Sequence, residues 1–341
     1  MKYLSLFSGI GGFEIGIQRV FPDAKCIGFS EVDKFAIQVY THHFPDHANI
    51  GDITTVQEET VAALVRSAGG CDLIVGGFPC QNLSSMARGM HCNDQGLDGP
   101  KSGLFWKMLS VIQWVMAANP EEVKLHILIE NNASMRNANK QAITEHLQSL
   151  FPYEVFLTKL NGADFGIQRR RRLYWTTWQI VDIPVVREQT WDDVLLPLEE
   201  CQSSDRVSST LLLNTGNTVF PNPNKHPTLI RKTDSGWAFE KDTGVNGISR
   251  WDKCYHSDTK NVNASTMTRY KCMNKFLIDR RNSLIVRYWD PVEIERLFFI
   301  PDGWVSTLCS KSRCYKLLGN TVITNVISYL VEHHPNAQNA L

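Results

Sequence analysis

Residues 3–20, YLSLFSGIGGFEIGIQRV, contain the pattern that decides the fold. Residues 3–7 are an apolar, strand-like run, and a glycine-rich turn at residues 8–12 follows them directly. From Phe13 to Val20 the apolar residues recur at helical spacing. A strand that passes through such a turn into a helix is typical of nucleotide binding, because glycines let the backbone approach a ligand.

An acidic residue follows this turn at the distance expected for a ribose ligand. Residues 26–30 predict a second short strand, and Glu31 comes directly after it. Its spacing of about 20 residues from the turn is that of a carboxylate that holds the two ribose hydroxyls. The same pattern also serves dinucleotides, and many glycine-rich turns bind nothing, so these alternatives stay open on this pattern alone.

A second apolar run ends in a motif that contains a cysteine. Residues 72–75 predict a buried strand, which is followed by Gly76-Gly77-Phe78-Pro79-Cys80-Gln81. Open α/β sheets carry their chemistry at the carboxyl ends of strands, so Cys80 is a candidate nucleophile. The alternative is a buried, inert thiol, which is the usual state of an unpaired cysteine.

Three more polar segments accompany Cys80. Residues 126–129 predict another apolar strand that ends at Glu130, so Glu130 and Cys80 can face one cleft. Asp52 can accept a hydrogen bond from an adenine amino group while Ile53 packs on the ring, although Asp52 can also be an ordinary loop residue. Residues 169–172 are four consecutive arginines, which favours a contact with an anion or a base over a solvated turn.

Taken in order, these segments resemble the motif set of the DNA (cytosine-5)-methyltransferase family. The matching segments are Phe7-Ser8-Gly9-Ile10-Gly11-Gly12, Gly77-Phe78-Pro79-Cys80-Gln81, Glu130-Asn131, Gln168-x-Arg170-x-Arg172 and Gly319-Asn320-Thr321-Val322. The resemblance covers residues 1 to about 180 and about 286 to 330. It departs from the family pattern at Asn132, where valine is more usual. A second Gly-Asn-Thr-Val at residue 216 is interpreted as a loop of the variable segment.

The resemblance implies four catalytic residues. Cys80 would add to carbon 6 of cytosine, and Glu130 would act as the general acid at nitrogen 3, a role worth about 10² to 10⁴ in rate. Arg172, with Arg170 beside it, would donate to oxygen 2 and support the loop of Cys80. Because carbon 5 is shielded inside a duplex, the target cytosine would have to be flipped out, at a cost of a few kcal/mol.

The resemblance also implies S-adenosylmethionine as the cofactor, and no metal. The implied cofactor-binding residues are Phe7, Gly9, Gly11, Gly12, Glu31, Val32, Asp52, Ile53, Pro79, Leu104, Asn320 and Val322. Glu31 would hold the ribose with Val32 beside it, and Asp52 and Ile53 would frame the adenine. The nine cysteines show no paired short spacings and no zinc-type cluster with histidines, so we expect reduced thiols.

The distribution of charge favours a DNA-binding segment. The net charge is zero, yet residues 201–285 contain thirteen Lys and Arg against seven Asp and Glu, a surplus of six. Cations and aromatic residues alternate there, as DNA contacts require, although a solvated, loop-rich domain has a similar composition. The predicted DNA contacts are Gln81, Ser84 and Arg88, in the loop after Cys80, and Arg250, Lys253, Arg269 and Lys271.

Alternating strand and helix patterns predict the α/β class, with a doubly wound, Rossmann-like methyltransferase sheet. The predicted strands are 2–7, 25–30, 72–76, 126–130, 153–160 and 172–178, and the predicted helices are 13–20, 34–43, 102–118 and 138–150. We expect residues 1–180 and 286–341 to form the catalytic and cofactor-binding domain. Residues 181–285 are expected to form a smaller, irregular, strand-containing target recognition domain.

The leading hypothesis is methylation of cytosine carbon 5 in a short sequence of double-stranded DNA. A tRNA cytosine methyltransferase of the same family is one alternative, but its Cys-Phe-Thr segment is absent from this sequence. A non-catalytic DNA-binding module with the cofactor fold would not need Cys80, Glu130 and Arg172. A nicotinamide dehydrogenase would leave the arginines and the basic segment unexplained.

The sequence also predicts the setting in which the protein works. It contains no run of 18 apolar residues, and it begins with a strand, so we expect neither a membrane span nor a secretory signal. A cytoplasmic monomer of bacterial or phage origin follows from this reading. A cognate restriction endonuclease would be a functional partner rather than a physical one.

Overall fold

The computed structural model describes residues 1–79, 103–181, 189–197, 200 and 289–338, and the backbone of seven strands between 206 and 288. By their contacts the residues form two compact units. The first contains Met1–Asn161, Arg171–Pro184 and Val322–Leu341, and the second contains Gly162–Arg170 and Val185–Thr321. Residues 286–321 thus cluster with the second unit, whereas the predicted catalytic domain includes them. The predicted domains are defined by function and stay a prediction.

Strands and helices alternate along the first half of the chain, as the sequence predicts. The strands are β1 (Lys2–Leu6), β2 (Lys25–Ser30), β3 (Leu73–Gly77), β4 (His126–Asn132), β5 (Phe156–Asn161), β6 (Gln168–Arg169), β7 (Arg171–Thr176), β8 (Arg206–Val207), β9 (Thr228–Thr233), β10 (Gly236–Glu240), β11 (Lys253–His256), β12 (Val262–Asn263), β13 (Phe276–Asp279) and β14 (Ile285–Tyr288). The helices are α1 (Gly12–Val20), α2 (Lys34–His43), α3 (Glu58–Ala68), α4 (Leu104–Ala118), α5 (Asn137–Leu150), α6 (Trp191–Val194), α7 (Pro291–Leu297), α8 (Lys311–Gly319), α9 (Thr324–Glu332) and α10 (Pro335–Gln338).

The first unit is built on a mixed sheet of six strands in the order β2-β1-β3-β4-β7-β5. Strands β1 to β4 pair in parallel, and β7 is antiparallel to both β4 and β5. The chain leaves β1 toward β2 on one side and later returns to β3 on the other. The order therefore reverses between β1 and β3, which is where open α/β sheets bind ligands.

Alternate strand residues point to opposite sides of this sheet, so both faces carry buried apolar side chains. Helices cover both faces. On one side Leu4, Ile74, Ile127 and Trp175 share an apolar core with residues of α3, α4 and α5. On the other side α1 packs against α9, with which it makes many residue contacts. Gly16 allows this close approach, since a Cβ there would lie 2.6 Å from Ile327 Cβ.

The second unit contains another six-stranded sheet, in the order β10-β9-β11-β13-β14-β8, and the two-stranded pair β6-β12. Strand β9 lies within residues 181–285, where the sequence predicts a segment that contains strands. Helix α7 begins with a capping box in which Asp290 accepts from the Val292 amide and Glu293 accepts from the Asp290 amide. None of the helices in the described part of the chain combines the length and apolar character that a membrane crossing requires.

Candidate active site

The glycine-rich turn after β1 has an unusual backbone. Phe7, Gly9 and Gly11 have φ values of 55°, 57° and 89°, and the Gly11 amide donates to the Ser8 carbonyl at 3.1 Å. A Cβ at Gly11 would lie 2.6 Å from Phe44 Cε2, whereas no atom of the described residues lies within 4 Å of a Cβ at Gly9. The left-handed conformation of Phe7 costs about 1–2 kcal/mol, and such strain concentrates at functional sites.

Glu31 connects the end of β2 to this turn. Its Oε2 accepts from the Gly9 amide at 2.8 Å, and its Oε1 accepts from the amides of Val32 and Asp33 at 2.7 and 2.8 Å. Beside it, the Val32 side chain is 64% exposed. A carboxylate has about four acceptor sites, so these three bonds leave capacity for a ribose hydroxyl. The sequence predicts the ribose contact but not this role of Glu31 in holding the turn.

The other predicted cofactor residues have varied environments. Asp52 is exposed and accepts from the Thr54 amide at 2.8 Å, while Ile53 is buried in the apolar core. Gly12 begins α1, and the half-buried Leu104 begins α4. The remaining three are the half-buried Pro79 after β3, the buried Val322, and the exposed Asn320 at the end of α8 in the second unit. Of the predicted cofactor residues, Gly9 and Glu31 are joined by a hydrogen bond. The contacts of the predicted residues with the cofactor stay a prediction.

Glu130 lies near the carboxyl end of β4, beside the strand that leads to the cysteine motif. In the parallel register Gly77 of β3 pairs with Glu130. A Cβ at position 77 would lie only 2.8 Å from Glu130 Oε2, so glycine makes room for this carboxylate. The two strand ends therefore hold an acid close to the segment that continues into the motif.

Arg172, on the neighbouring strand β7, forms an ion pair with Glu130. The Arg172 Nε lies 2.7 Å from Glu130 Oε1, and both side chains are largely buried, with exposed fractions of 16% and 13%. Although the charges are close, Oε1 accepts no hydrogen bond from the described residues, because the guanidinium is not aligned with it as a donor. Glu130 Oε1 is thus a buried oxygen whose charge is balanced by the neighbouring guanidinium.

Asn131 fixes the segment that precedes the cysteine. Its side chain is buried, and its Nδ2 donates to the Phe78 carbonyl at 3.0 Å. The amide of Asn132 in turn donates to Asn131 Oδ1 at 2.8 Å. The sequence contains the Glu130-Asn131 pair as a motif but gives no role for the asparagine. A polar residue directly after an acid at the end of an apolar strand is the signal that points to it.

Arg170 has protein partners that the sequence does not predict. It is buried, and its Nη2 donates to the Thr321 carbonyl at 2.6 Å, with longer contacts to the Gly319 carbonyl. Its guanidinium also lies over the Phe298 ring, 5.3 Å from the centroid. Within the second unit Arg170 therefore supports the Gly-Asn-Thr-Val turn. The predicted role beside Arg172 at the substrate oxygen stays a prediction.

Several predicted residues lie outside the described part of the chain. These are Cys80, Gln81, Ser84, Arg88, Arg250, Arg269 and Lys271, and for Lys253 only the backbone in β11 is described. Their predicted roles stay predictions. Among the described residues, no three His, Cys, Asp or Glu side chains converge as a metal site would require.

The fold matches that of a solved methyltransferase. The structure of a methyltransferase from Entamoeba histolytica, EhMeth, matches with a TM-score of 0.70 over 98% of this chain and 97% of the other, at 17% identity. The predicted fold class is thereby confirmed.

The family follows from the sequence as a whole. The family model for C-5 cytosine-specific DNA methylase matches residues 1–336, so the chain belongs to this family and is a DNA (cytosine-5)-methyltransferase. Similar curated proteins include the type II methyltransferase M1.ScrFI of Lactococcus lactis subsp. cremoris, 27% identical over 97% of this chain and 77% of its own length. The type II methyltransferase M.NlaX of Neisseria lactamica is 25% identical over 100% of this chain and 98% of its own length.

Proposed function

We propose that this enzyme methylates carbon 5 of cytosine within a short, specific sequence of double-stranded DNA, through a covalent bond between Cys80 and carbon 6. The observation that carries the proposal is the largely buried Glu130–Arg172 ion pair, with the two atoms 2.7 Å apart, beside the strand that leads through Gly77 to the cysteine. An acid and a fixed cation at that position suit a ring that gains negative charge.

Each of the three side chains has a defined task in this mechanism. The Cys80 thiolate adds to carbon 6, and Glu130 gives a proton to nitrogen 3, so that the ring becomes a neutral enamine. Arg172 donates to oxygen 2, where its planar guanidinium also keeps Glu130 in place. After methylation, a solvent base takes the carbon 5 proton and the Cys80 thiolate leaves. Nitrogen 3 returns its proton to the Glu130 carboxylate, which restores the aromatic ring and the acid.

The residues around the glycine-rich turn fit the proposed cofactor. When bound, S-adenosylmethionine supplies an electrophilic methyl group. Among the described residues, none has an atom within 4 Å of the place that a Cβ at Gly9 would take, so a ligand has room there. Val32 exposes an apolar side chain next to Glu31. Phe7, Glu31, Val32 and the exposed Asp52 would hold the nucleoside portion, since they combine apolar faces with carboxylate acceptors.

The biological role proposed here is protection of DNA in a restriction–modification system. The two curated relatives described above are named type II methyltransferases, which supports this role. The cytosine must then be flipped out of the duplex, and the loop after Cys80 together with the basic segment at 201–285 would contact the DNA.

Substitution of the cysteine tests the mechanism directly. We expect Cys80→Ala to abolish methyl transfer to duplex DNA while the cofactor still binds. Cys309→Ser is the control and should retain activity, since Cys309 is a half-buried thiol outside the proposed site. A duplex with 5-fluorocytosine at the recognised position should trap the wild-type enzyme, because carbon 5 then has no proton to lose. Bisulfite sequencing of DNA from expressing cells would give the sequence context. Activity in Cys80→Ala, or methylation of tRNA but not DNA, contradicts the proposal.

A further inference from the structure

Glu14 is a carboxylate buried in the first turn of α1, and the proposed mechanism does not use it. Its exposed fraction is 0%, and the Tyr40 hydroxyl donates to its Oε1 at 2.9 Å. The Tyr40 oxygen lies 3.1 Å from Nδ1 of His47, a half-buried side chain. These three residues form a hydrogen-bonded chain from the protein interior toward the surface.

This chain packs directly against the glycine-rich turn. The His47 ring stacks on Phe44 with the centroids 5.0 Å apart and the planes 2° from parallel. Phe44 in turn closes on Gly11, where a Cβ would lie 2.6 Å from Phe44 Cε2. Tyr40 contacts Phe44 as well, at 5.1 Å between centroids. Displacement of any member therefore moves the ring that supports the turn.

Glu14 is the member of this cluster whose charge changes near neutral pH. Burial raises the pKa of Glu14 to about 7. The ionisable groups that face it are Tyr3 of β1, Cys26 of β2 and Tyr40 of α2, and burial raises the pKa of each, to about 12 for Cys26, so they stay uncharged.

The remaining neighbours of the cluster also keep their charge state near neutrality. Burial lowers the pKa of His47, although Asp46 acts in the opposite direction. His47 is therefore neutral at any pH above the ordinary pKa range of histidine. Helix α9 meets α1 at Gly16 through Ile327 and Ser328, which do not ionise in this range.

The protonation state of Glu14 decides which groups donate in the Glu14–Tyr40–His47 hydrogen bonds. Tyr40 has one hydroxyl proton, so when Glu14 is ionised Tyr40 donates to it and accepts from His47 Nδ1–H. When Glu14 is protonated it donates to the Tyr40 oxygen, and Tyr40 donates to an unprotonated Nδ1. The chain stays closed in both states, and what changes is a negative charge three residues after Gly11.

We propose that the Glu14–Tyr40–His47 chain positions the glycine-rich turn, and that ionisation of Glu14 strengthens the binding of a cofactor that carries a positive charge. The inference rests on the proposed function, since S-adenosylmethionine has a sulfonium cation. A carboxylate in a low-dielectric interior acts on such a charge more strongly than one in water. By linkage, binding of the cation then drives a proton off Glu14.

Calorimetric titration of the full chain with S-adenosylmethionine tests this coupling. Between pH 6 and pH 8 we expect the affinity to rise about 5- to 10-fold, within the usual range for linked sites. At pH 7, titrations in two buffers of different ionisation enthalpy should show proton release. S-adenosylhomocysteine has the same amino group but an uncharged sulfur, so its affinity should change less with pH.

Two variants and a control separate the coupling from a general structural role. Glu14→Gln keeps the acceptor for Tyr40 without a titrating group, so its cofactor affinity should not follow this pH profile. Tyr40→Phe breaks both hydrogen bonds and should raise KM for the cofactor more than it lowers kcat. Tyr153→Phe removes a hydroxyl that donates to the Leu125 carbonyl, and it should keep the wild-type profile.

The outcome that overturns the inference is a wild-type pH profile in Glu14→Gln, or equal pH responses to the two ligands. If the wild-type chain binds neither ligand, the proposed cofactor is wrong as well. Binding with an unchanged profile in the variant contradicts only the role of Glu14.

Discussion

Glu130 is the residue on which the proposed chemistry depends most directly among those described. Replacing it by glutamine keeps its shape but removes the proton that nitrogen 3 would receive, so we expect kcat to fall by about 10² to 10⁴. Steady-state methyl transfer with saturating DNA measures this, and cofactor binding should be retained. Glu145→Gln, on the exposed side of α5, is the control and should have wild-type activity. Near-normal turnover in Glu130→Gln would exclude it as the acid.

Substitution of Gly77 tests whether the position of the Glu130 carboxylate matters for catalysis. A methyl group at this position would lie 2.8 Å from Glu130 Oε2, so Gly77→Ala must displace the acid. We expect kcat to fall at least about tenfold with little change in KM for the cofactor. Gly28→Ala is the matched control in the same sheet, since its new Cβ would meet two side-chain ends at 3.3 Å and the Ala48 carbonyl oxygen at 3.5 Å. Equal activity of the two variants would contradict the argument.

Glu14 also predicts how the stability of the unliganded protein depends on pH. Its pKa is about 7 in the folded chain against 4.5 as the ordinary value, so the folded state binds more protons between these values. Stability should therefore fall as pH rises from about 4.5 to 7, by at most about 3 kcal/mol. Urea unfolding of wild type and Glu14→Gln at pH 5 and pH 8 measures this. The variant should gain relative stability at pH 8, and a constant difference would refute the assignment.

The sequence predicts motif residues better than it predicts their partners. Glu130 and Arg172 are identified by their place in an ordered motif, and the structure brings them together. The contact of Arg170 with Gly319 and Thr321 joins positions about 150 residues apart, so local sequence patterns do not contain it. In the sequence, Glu14 is likewise an ordinary polar position of a helix. Its burial depends on contacts with Tyr40 and with strands β1 and β2, which the local pattern does not contain.

At the scale of the elements, the close packing of α1 on α9 depends on a single glycine. A Cβ at Gly16 would lie 2.6 Å from Ile327 Cβ and 2.9 Å from the Thr324 carbonyl oxygen. Gly16→Ala should therefore destabilise the protein by about 1–3 kcal/mol, as overpacking does. Urea unfolding measures this. Ser328→Ala removes only a hydroxyl that donates to the Gly16 carbonyl, and it should cost about 1 kcal/mol or less. A stabilised Gly16→Ala would contradict the packing argument.

Several elements with clear local periodicity are predicted correctly from the sequence, although not all of them. The predicted helix at 34–43 matches α2, where Asp33 caps the first turn by accepting from the amides of Phe35 and Ala36. Helix α3 is missing from the prediction although Val61, Ala62 and Val65 have helical spacing. The antiparallel direction of β7 is also absent from it, since pairing with β4 and β5 depends on contacts that are distant in sequence.

At the scale of the whole molecule, the charge of the chain is unevenly distributed although its sum is zero. Residues 201–285 have a surplus of six positive charges, so the remainder has a deficit of six. An acidic remainder repels a polyanion, which restricts DNA to the cationic parts of the surface. In the first unit Arg171 is exposed at the start of β7, next to Arg172, which pairs with Asn132 at the carboxyl end of β4.

This distribution predicts a steep dependence of DNA binding on salt. Each neutralised phosphate releases condensed counterions, so the logarithm of the binding constant should fall by about 0.9 per contact for each unit of log salt concentration. Arg171→Gln should reduce the slope by about one contact, because its side chain is exposed beside the proposed site. Lys25→Gln is the matched control, since Lys25 is exposed at the amino end of β2, the opposite edge of the sheet. Fluorescence anisotropy of a labelled duplex across a salt series measures both slopes. Equal slopes for the two variants, or an affinity independent of salt, would mean that DNA does not approach the carboxyl ends of the strands.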